Sequence, residues 1–297
     1  MRIILTGASG FIGKKLVKSL VAAGHTLLAL LRNPENNSSG DFKVLTYGIG
    51  DPLPLEVHDF SPEILIHLAW EGIPDFSVEM CLKNVDNQVR FLNHMKSLPS
   101  LKKVIVSGSC VEYGAKTGSC EEIERNFPNS YFSWSKLTLG NFYRVFCAEN
   151  NINLVWFRLF YVYGPGQRPG SLIPTLINTF ASKQEPKLNN PAMSNDYIYI
   201  DDVVDAFVTA VRSEGVEGIY NLGSGELTPV FKISSIIETL INCDSKYSLL
   251  LSEGIKDEPL TGFYADMTLT SNDLNWEPKW NILNGIKETY RLYTGIE

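Results

Sequence analysis

The first thirteen residues constrain this chain more than any other stretch. Arg2-Ile3-Ile4-Leu5-Thr6 is a short apolar run, Gly7-Ala8-Ser9-Gly10-Phe11-Ile12-Gly13 follows, and Lys14 to Val21 carries apolar residues at helical spacing. The pattern predicts strand, glycine turn, helix. Such a turn lets backbone approach a pyrophosphate, and the helix behind it offers free N–H groups and a positive dipole end. Gly7, Ser9, Gly10, Phe11, Ile12 and Gly13 are therefore assigned to a dinucleotide. A GxxGxxG alone also fits a tight turn that merely starts a helix; the long α/β pattern behind it favours the ligand.

With 297 residues, 44% of them hydrophobic, the chain can bury one large core or two smaller ones. The net charge of −7, with no block of basic residues, speaks against nucleic acid and anionic membranes as partners. Cys81, Cys110, Cys120, Cys147 and Cys243 are scattered without ligand-like spacing, which predicts reduced thiols and no metal site. No apolar run approaches the ~18 residues of a membrane span, and a cytoplasmic protein is expected.

Farther along, His25 to Leu31 reads as a second buried strand ending in Arg32-Asn33-Pro34. In a dinucleotide fold the end of this strand faces the adenosine ribose. An acid there binds the 2′-hydroxyl of NAD, whereas an Arg accommodates the 2′-phosphate of NADP. No acid stands there, since Glu35 lies beyond the proline, so Arg32 points to NADP over NAD. Asn36 to Gly40 reads as a polar loop and Phe42 to Leu45 as a third strand; Asp51 either contacts the adenine or begins a proline turn. Ile64 to Ala69 and Val104 to Ser109 read as buried strands, the second with its C-terminal end facing a ligand crevice; Leu68, Ala69 and Ser107 are expected cofactor contacts. His67, inside its apolar run, reads as a packed core histidine. Helices are expected over 79–95, from Pro128-Asn129-Ser130 onward, and over 171–183 and 231–242. Further strands are expected at Asn153–Leu159, Asp196–Ile200 and Gly218–Leu222. Frequent Gly and Pro from Gly164 mark a change of organisation.

Seven segments match one pattern in order: TGASGFIG, IHLAW at 66–70, VSGSCVEYG at 106–114, SYFSWSK at 130–136, RLFYVYGPG at 158–166, DYIYIDDVVDAF at 196–207 and YNLGSG at 220–225. The chain thereby resembles the extended short-chain dehydrogenase/reductases, the NAD(P)-dependent epimerase/dehydratase family acting on nucleotide sugars. The resemblance implies an α/β fold: a Rossmann-type doubly wound parallel sheet with a smaller mixed α/β C-terminal substrate domain. The expected division is 1–164 for NADP, with returning segments near 196–223, and 165–297 for the nucleotide sugar. It also implies a catalytic Ser/Thr, Tyr and Lys. Ser109 falls on the first, four residues before Tyr113, and Lys136 on the last, where it would also hold the cofactor ribose.

The tyrosine position, four before Lys136, is Phe132. A Tyr and Lys at i and i+4 share one helix face, where the ammonium lowers the phenol pKa. Tyr131 lies roughly 100° around the helix from that site, and is read as a helix-start residue packing on the substrate loop. Phe132 is either a deliberate Tyr→Phe change, the reading favoured by an otherwise intact site, or native, leaving the chain inactive or reliant on another acid.

The resemblance also separates sub-classes. Dehydratases of the family carry an Asp-Glu pair after the catalytic Ser/Thr; Cys110 and Val111 stand there. Glu112, in an extended segment, would point to the opposite side. Epimerases generally recycle a tightly held NAD, which Arg32 does not suit. The chain is most similar to nucleotide-sugar 4-ketoreductases of the abequose and paratose synthase type. The expected reaction is reduction of the C4 keto group of a 4-keto-6-deoxy nucleotide sugar by NADPH. A 4-epimerase and a catalytically silent NADP-binding sensor are the alternatives. Asn84, Ser109, Tyr161 and Arg168 are the expected substrate contacts. Asn195 stands where many relatives have an Arg, and Trp134 either lines the sugar pocket or packs. A homodimer through helices 79–96 and 133–149 is expected.

Overall fold

A computed structural model describes residues 1–33, 42–242, 247 and 260–295. Strands β1 (Arg2–Thr6), β2 (Thr26–Leu31), β3 (Lys43–Thr46), β4 (Ile64–His67), β5 (Lys103–Ser107), β7 (Asn153–Leu159) and β10 (Gly218–Leu222) form one sheet. Its order is β10-β7-β5-β4-β1-β2-β3, and every pairing is parallel. The apolar runs are nearly continuous because both faces are covered. Side chains alternate with period two: Ile3, Leu5, Ala29, Ile66, Ile105 and Phe157 enter one core, and Ile4, Leu28, Leu65, Val104, Val106 and Trp156 the other.

Helices α1 (Phe11–Ala22) and α6 (Ile200–Arg212) pack on each other over the first face. Helices α2 (Leu55–Phe60), α3 (Val78–Met95) and α4 (Tyr131–Glu149) close the second. Because β1 lies between β4 and β2, the chain reverses direction across the sheet there. A crevice opens outside the carboxyl ends of these strands, the expected ligand site of an open α/β sheet.

Beside this sheet lies a smaller mixed part. β8 (Tyr161–Tyr163), β9 (Ser194–Tyr199) and β11 (Leu227–Pro229) form one sheet, and β6 (Gly118–Cys120) and β12 (Phe263–Ala265) a second. Helices α5 (Leu172–Ala181), α7 (Val230–Asn242), α8 (Thr268–Leu274) and α9 (Ile282–Thr294) complete it. Asp196 ties the small sheets together: its buried carboxylate accepts from Ser224 N–H and O–H, Gly225 N–H and Ala265 N–H. The fold is thus α/β, a Rossmann-like parallel sheet with a smaller mixed part.

Three expected boundaries shift for local reasons. The strand expected to reach Ala69 ends at His67, because Ala69 N–H turns to the Thr6 hydroxyl. The strand expected to reach Ser109 ends at Ser107 and gives way to a 3-10 helix, Cys110–Tyr113. Ile200 begins α6 instead of ending a strand, since Asp201 and Asp202 suit a helix N-terminus. The three-residue strands were invisible to periodicity. Glu35, the loop 36–40 and Cys243 lie outside the described residues. Among the described residues, no helix is long and apolar enough to cross a membrane.

Candidate active site

The glycine turn builds a cradle. Gly7 has φ +74°, and a Cβ on Gly13 would lie 2.1 Å from the Gly7 carbonyl oxygen, so α1 presses against the turn only because that position has no side chain. Helix α1 has no side-chain cap and no acid in its first turn, which leaves its N–H groups and dipole available to an anion. The turn opens into a cleft of about 470 Å³. Gly7, Ser9, Gly10, Phe11, Ile12, Gly13, Arg32, Leu68, Ala69 and Ser107 all line it. Asp51 does not: it is exposed, and its carboxylate folds toward Gly48, while Tyr47 and Ile49 of the same segment line the wall. Two side-chain atoms of lining residues are buried without a hydrogen-bond partner: Trp70 Nε1 and Gln167 Oε1. Such orphaned groups in a cleft fit a polar ligand, and with the cradle they fit a dinucleotide.

Where the ribose of the adenosine would lie, Arg32 is ion-paired to Glu71, with Nη1 3.0 Å from Oε1. Lys83 holds the same oxygen at 2.8 Å. These cations, Lys83 foremost, keep the Glu71 carboxyl below the usual range. The Glu71 backbone is fixed by Asn84, whose amide accepts from Glu71 N–H and donates to the carbonyls of Glu71 and Met80. Asn84, expected over a sugar, is buried and clamps this loop; it lines the same cleft.

Lys136 reaches the end of β5, where Ser109 follows two residues after the strand, and Phe132 lies one turn before Lys136 on α4. Ser130 caps α4 through reciprocal bonds with Ser133, which fixes the first turn. One turn on, Lys136 is buried, and its Nζ donates to the Ser107 carbonyl at 2.9 Å and sits 4.6 Å over the Trp70 ring. Burial pushes its pKa down to about 8. Phe132 packs edge-on against Trp70, with centroids 5.1 Å apart, and 4.5 Å from Phe76. Tyr131, at the start of α4, is 58% exposed, and Trp134 is exposed as well.

Ser109 caps the 3-10 helix, its hydroxyl accepting from Val111 N–H. Because the segment is helical and not extended, Glu112 does not point away. It turns inward, fully buried, and accepts from Ser109 N–H at 2.8 Å, Trp156 Nε1–H at 3.0 Å and Arg158 Nε–H at 3.0 Å. Its role is to fix the Ser109 backbone. His67 is a packed core histidine: buried, bonded to Thr6, stacked between Phe91 and Tyr143 and pushed down to about 3 by burial and then by Lys136.

On the substrate side, exposed Arg168 lines the cleft, and Tyr161 is half-buried beside Tyr197, which also accepts from Asn195. Sequence reasoning missed Trp70, Glu71, Gln88 and Gln167. Position just past β4 was an available signal for the first two; no pattern marks the others. Of the expected dimer face, Leu92, Tyr143 and Phe146 are core, Val85 and Val89 pack against that core and Phe142 is exposed; elsewhere on the same helices Leu82 and Val145 are exposed. Cys81, Cys110, Cys120 and Cys147 are free and buried, and no metal-binding cluster occurs among the described residues.

A glycine cradle beneath a Rossmann-like sheet, with a Ser and a Lys at the end of β5, defines a dinucleotide-dependent enzyme class. The chain belongs to the NAD dependent epimerase/dehydratase family, whose model matches residues 3–223, and so to the NAD(P)-dependent nucleotide-sugar-modifying enzymes. It is 26% identical to dTDP-4-dehydro-6-deoxyglucose reductase of Escherichia coli, over 96% of this chain and 95% of that one. It is 30% identical to dTDP-6-deoxy-L-talose 4-dehydrogenase (NAD(+)) of Aggregatibacter actinomycetemcomitans, over 76% and 85%. Among solved structures it is similar to a tyrosine-to-phenylalanine mutant of UDP-glucuronic acid 4-epimerase from Bacillus cereus, in complex with UDP-4-deoxy-4-fluoro-glucuronic acid and NAD. That likeness has a TM-score of 0.84 at 22% identity, over 100% of both chains.

Proposed function

We propose that this chain is built to reduce the C4 keto group of a 4-keto-6-deoxy nucleotide sugar with NADPH, and that Phe132 stands in place of its proton donor. One observation carries the reading. Lys136 is buried on the Ser107 carbonyl, and Phe132, one turn before it, presents an aromatic ring to Trp70 beside the cleft. This is a tyrosine–lysine pair short of one oxygen. The relatives named as a 4-dehydro sugar reductase and a 4-dehydrogenase favour carbonyl chemistry at C4. Arg32 in the cleft favours the phosphorylated cofactor.

The glycine cradle, Ser9, Leu68, Ala69, Ser107 and Lys136 would hold the dinucleotide, which when bound supplies the hydride. Ser109, at the end of β5 with its backbone fixed by Glu112, donates a hydrogen bond from its hydroxyl to the carbonyl oxygen of the substrate and keeps its proton. A tyrosine at 132 would give that oxygen its proton, and the Lys136 cation would lower the phenol pKa. Arg168, which lines the cleft, pairs with the diphosphate, since a guanidinium matches phosphate oxygens. With Phe132, the site binds both ligands and lacks the acid. The solved epimerase mutant, in which a tyrosine is replaced by phenylalanine, is in complex with UDP-4-deoxy-4-fluoro-glucuronic acid and NAD together.

Phe132→Tyr should raise kcat by at least about a hundredfold, because general acid catalysis is worth ~10²–10⁴. Steady-state turnover of NADPH with a 4-keto-6-deoxy sugar nucleotide reads this; equal rates of the two forms would refute the role of position 132. Binding of NADP without any turnover in either form would favour a sensor.

A further inference from the structure

We propose that Glu71, working against Arg32, chooses between a 2′-hydroxyl and a 2′-phosphate on the bound dinucleotide, and so supplies from β4 the acid that the end of β2 lacks. The inference rests on the dinucleotide reading of the cleft. Arg32 follows β2 and Glu71 follows β4, on either side of β1, and both line the cleft. Their ion pair, at 3.0 Å, therefore spans the crevice mouth.

Glu71 is held in place from two sides. Asn84 bonds its backbone N–H and carbonyl, and Lys83 grips Oε1 at 2.8 Å. Arg32 is 64% exposed and tied by the Glu71 contact alone among the ion pairs of the described residues, so it is the member free to move.

The two ligands make different demands on this pair. A 2′-hydroxyl donates to the Glu71 carboxylate, and the Arg32 contact stays. A 2′-phosphate takes the Arg32 guanidinium as a charge-assisted partner. Arg32 must then leave Glu71, whose carboxylate, kept charged by Lys83, repels the phosphate. Glu71 thus weakens, without reversing, the preference that Arg32 gives to the 2′-phosphate: it accepts from the 2′-hydroxyl and withholds Arg32 from the competitor.

Glu71→Gln keeps the shape of the side chain and removes the charge. Measured by titration calorimetry on the full chain with NAD and with NADP, it should shift the ratio of the two Kd values about tenfold toward NADP, the scale of a pair of partly exposed charge effects. Arg32→Ala should weaken NADP roughly tenfold and leave NAD within about twofold. A Kd ratio unchanged in Glu71→Gln while both dinucleotides still bind overturns this inference and leaves the proposed function standing. Failure of the unaltered chain to bind either dinucleotide overturns both.

Discussion

Removing the Glu112 carboxylate should unfold this protein more readily than any surface change. Glu112 and Arg158 are an ion pair at 3.0 Å with side chains 1% and 2% exposed, so neither charge reaches water. Glu112→Ala leaves the Arg158 guanidinium buried without its carboxylate, a loss of about 3–5 kcal/mol. It also strips the acceptor from Trp156 Nε1–H and from Ser109 N–H. Arg158 has a second, weaker anchor in the Glu122 carbonyl at 3.2 Å, which does not neutralise it. Equilibrium urea denaturation measures the change. The decisive comparison is the double variant Glu112→Ala with Arg158→Met. Once the orphaned charge is gone, the double variant should be more stable than Glu112→Ala alone by about 2 kcal/mol, since most of the cost lies in the unpaired ion. A loss below about 1 kcal/mol in Glu112→Ala, or additive losses in the pair, would refute the reasoning.

Lys136 should leave a signature in pH. Its folded pKa of about 8 lies below the ordinary lysine value, so the unfolded chain binds more protons between the two and its burial costs less as pH rises through that window. The stability difference between the parent and Lys136→Met should therefore move by about 3 kcal/mol in favour of the parent from pH 7 to pH 10.5; a difference constant with pH would contradict the buried cation. We propose a homodimer through α3 and α4, which expose the large apolar side chains Leu82, Phe142 and Val145. Light scattering at micromolar concentration should give twice the chain mass, and Leu82→Glu with Val145→Glu should give the monomer; a monomeric parent chain ends this idea.

What could be read from the sequence was local. A strand, a φ-permissive glycine turn and a helix follow one another within Met1–Gly13, and their periodicities need no partner to be visible. The same holds for Phe132 and Lys136, because i and i+4 share a helix face whatever surrounds them. Ser109 came from its place in a motif, and so did the end of β5. Glu112 is the complementary case: its direction depends on whether Cys110–Tyr113 extends or coils, and Trp156 and Arg158, far along the chain, offer it the donors that hold it inward.

The same limit applies at the crevice. By sequence, Arg32 stood alone at the end of a strand and pointed to a phosphate. The tertiary structure brings Glu71 to it across β1, fixes Glu71 with Asn84 and Lys83, and sets Trp70 against Lys136 and Phe132. No spacing rule encodes these meetings. They arise because parallel strands distant in sequence end side by side, and charges and rings that meet there act together only at contact distance.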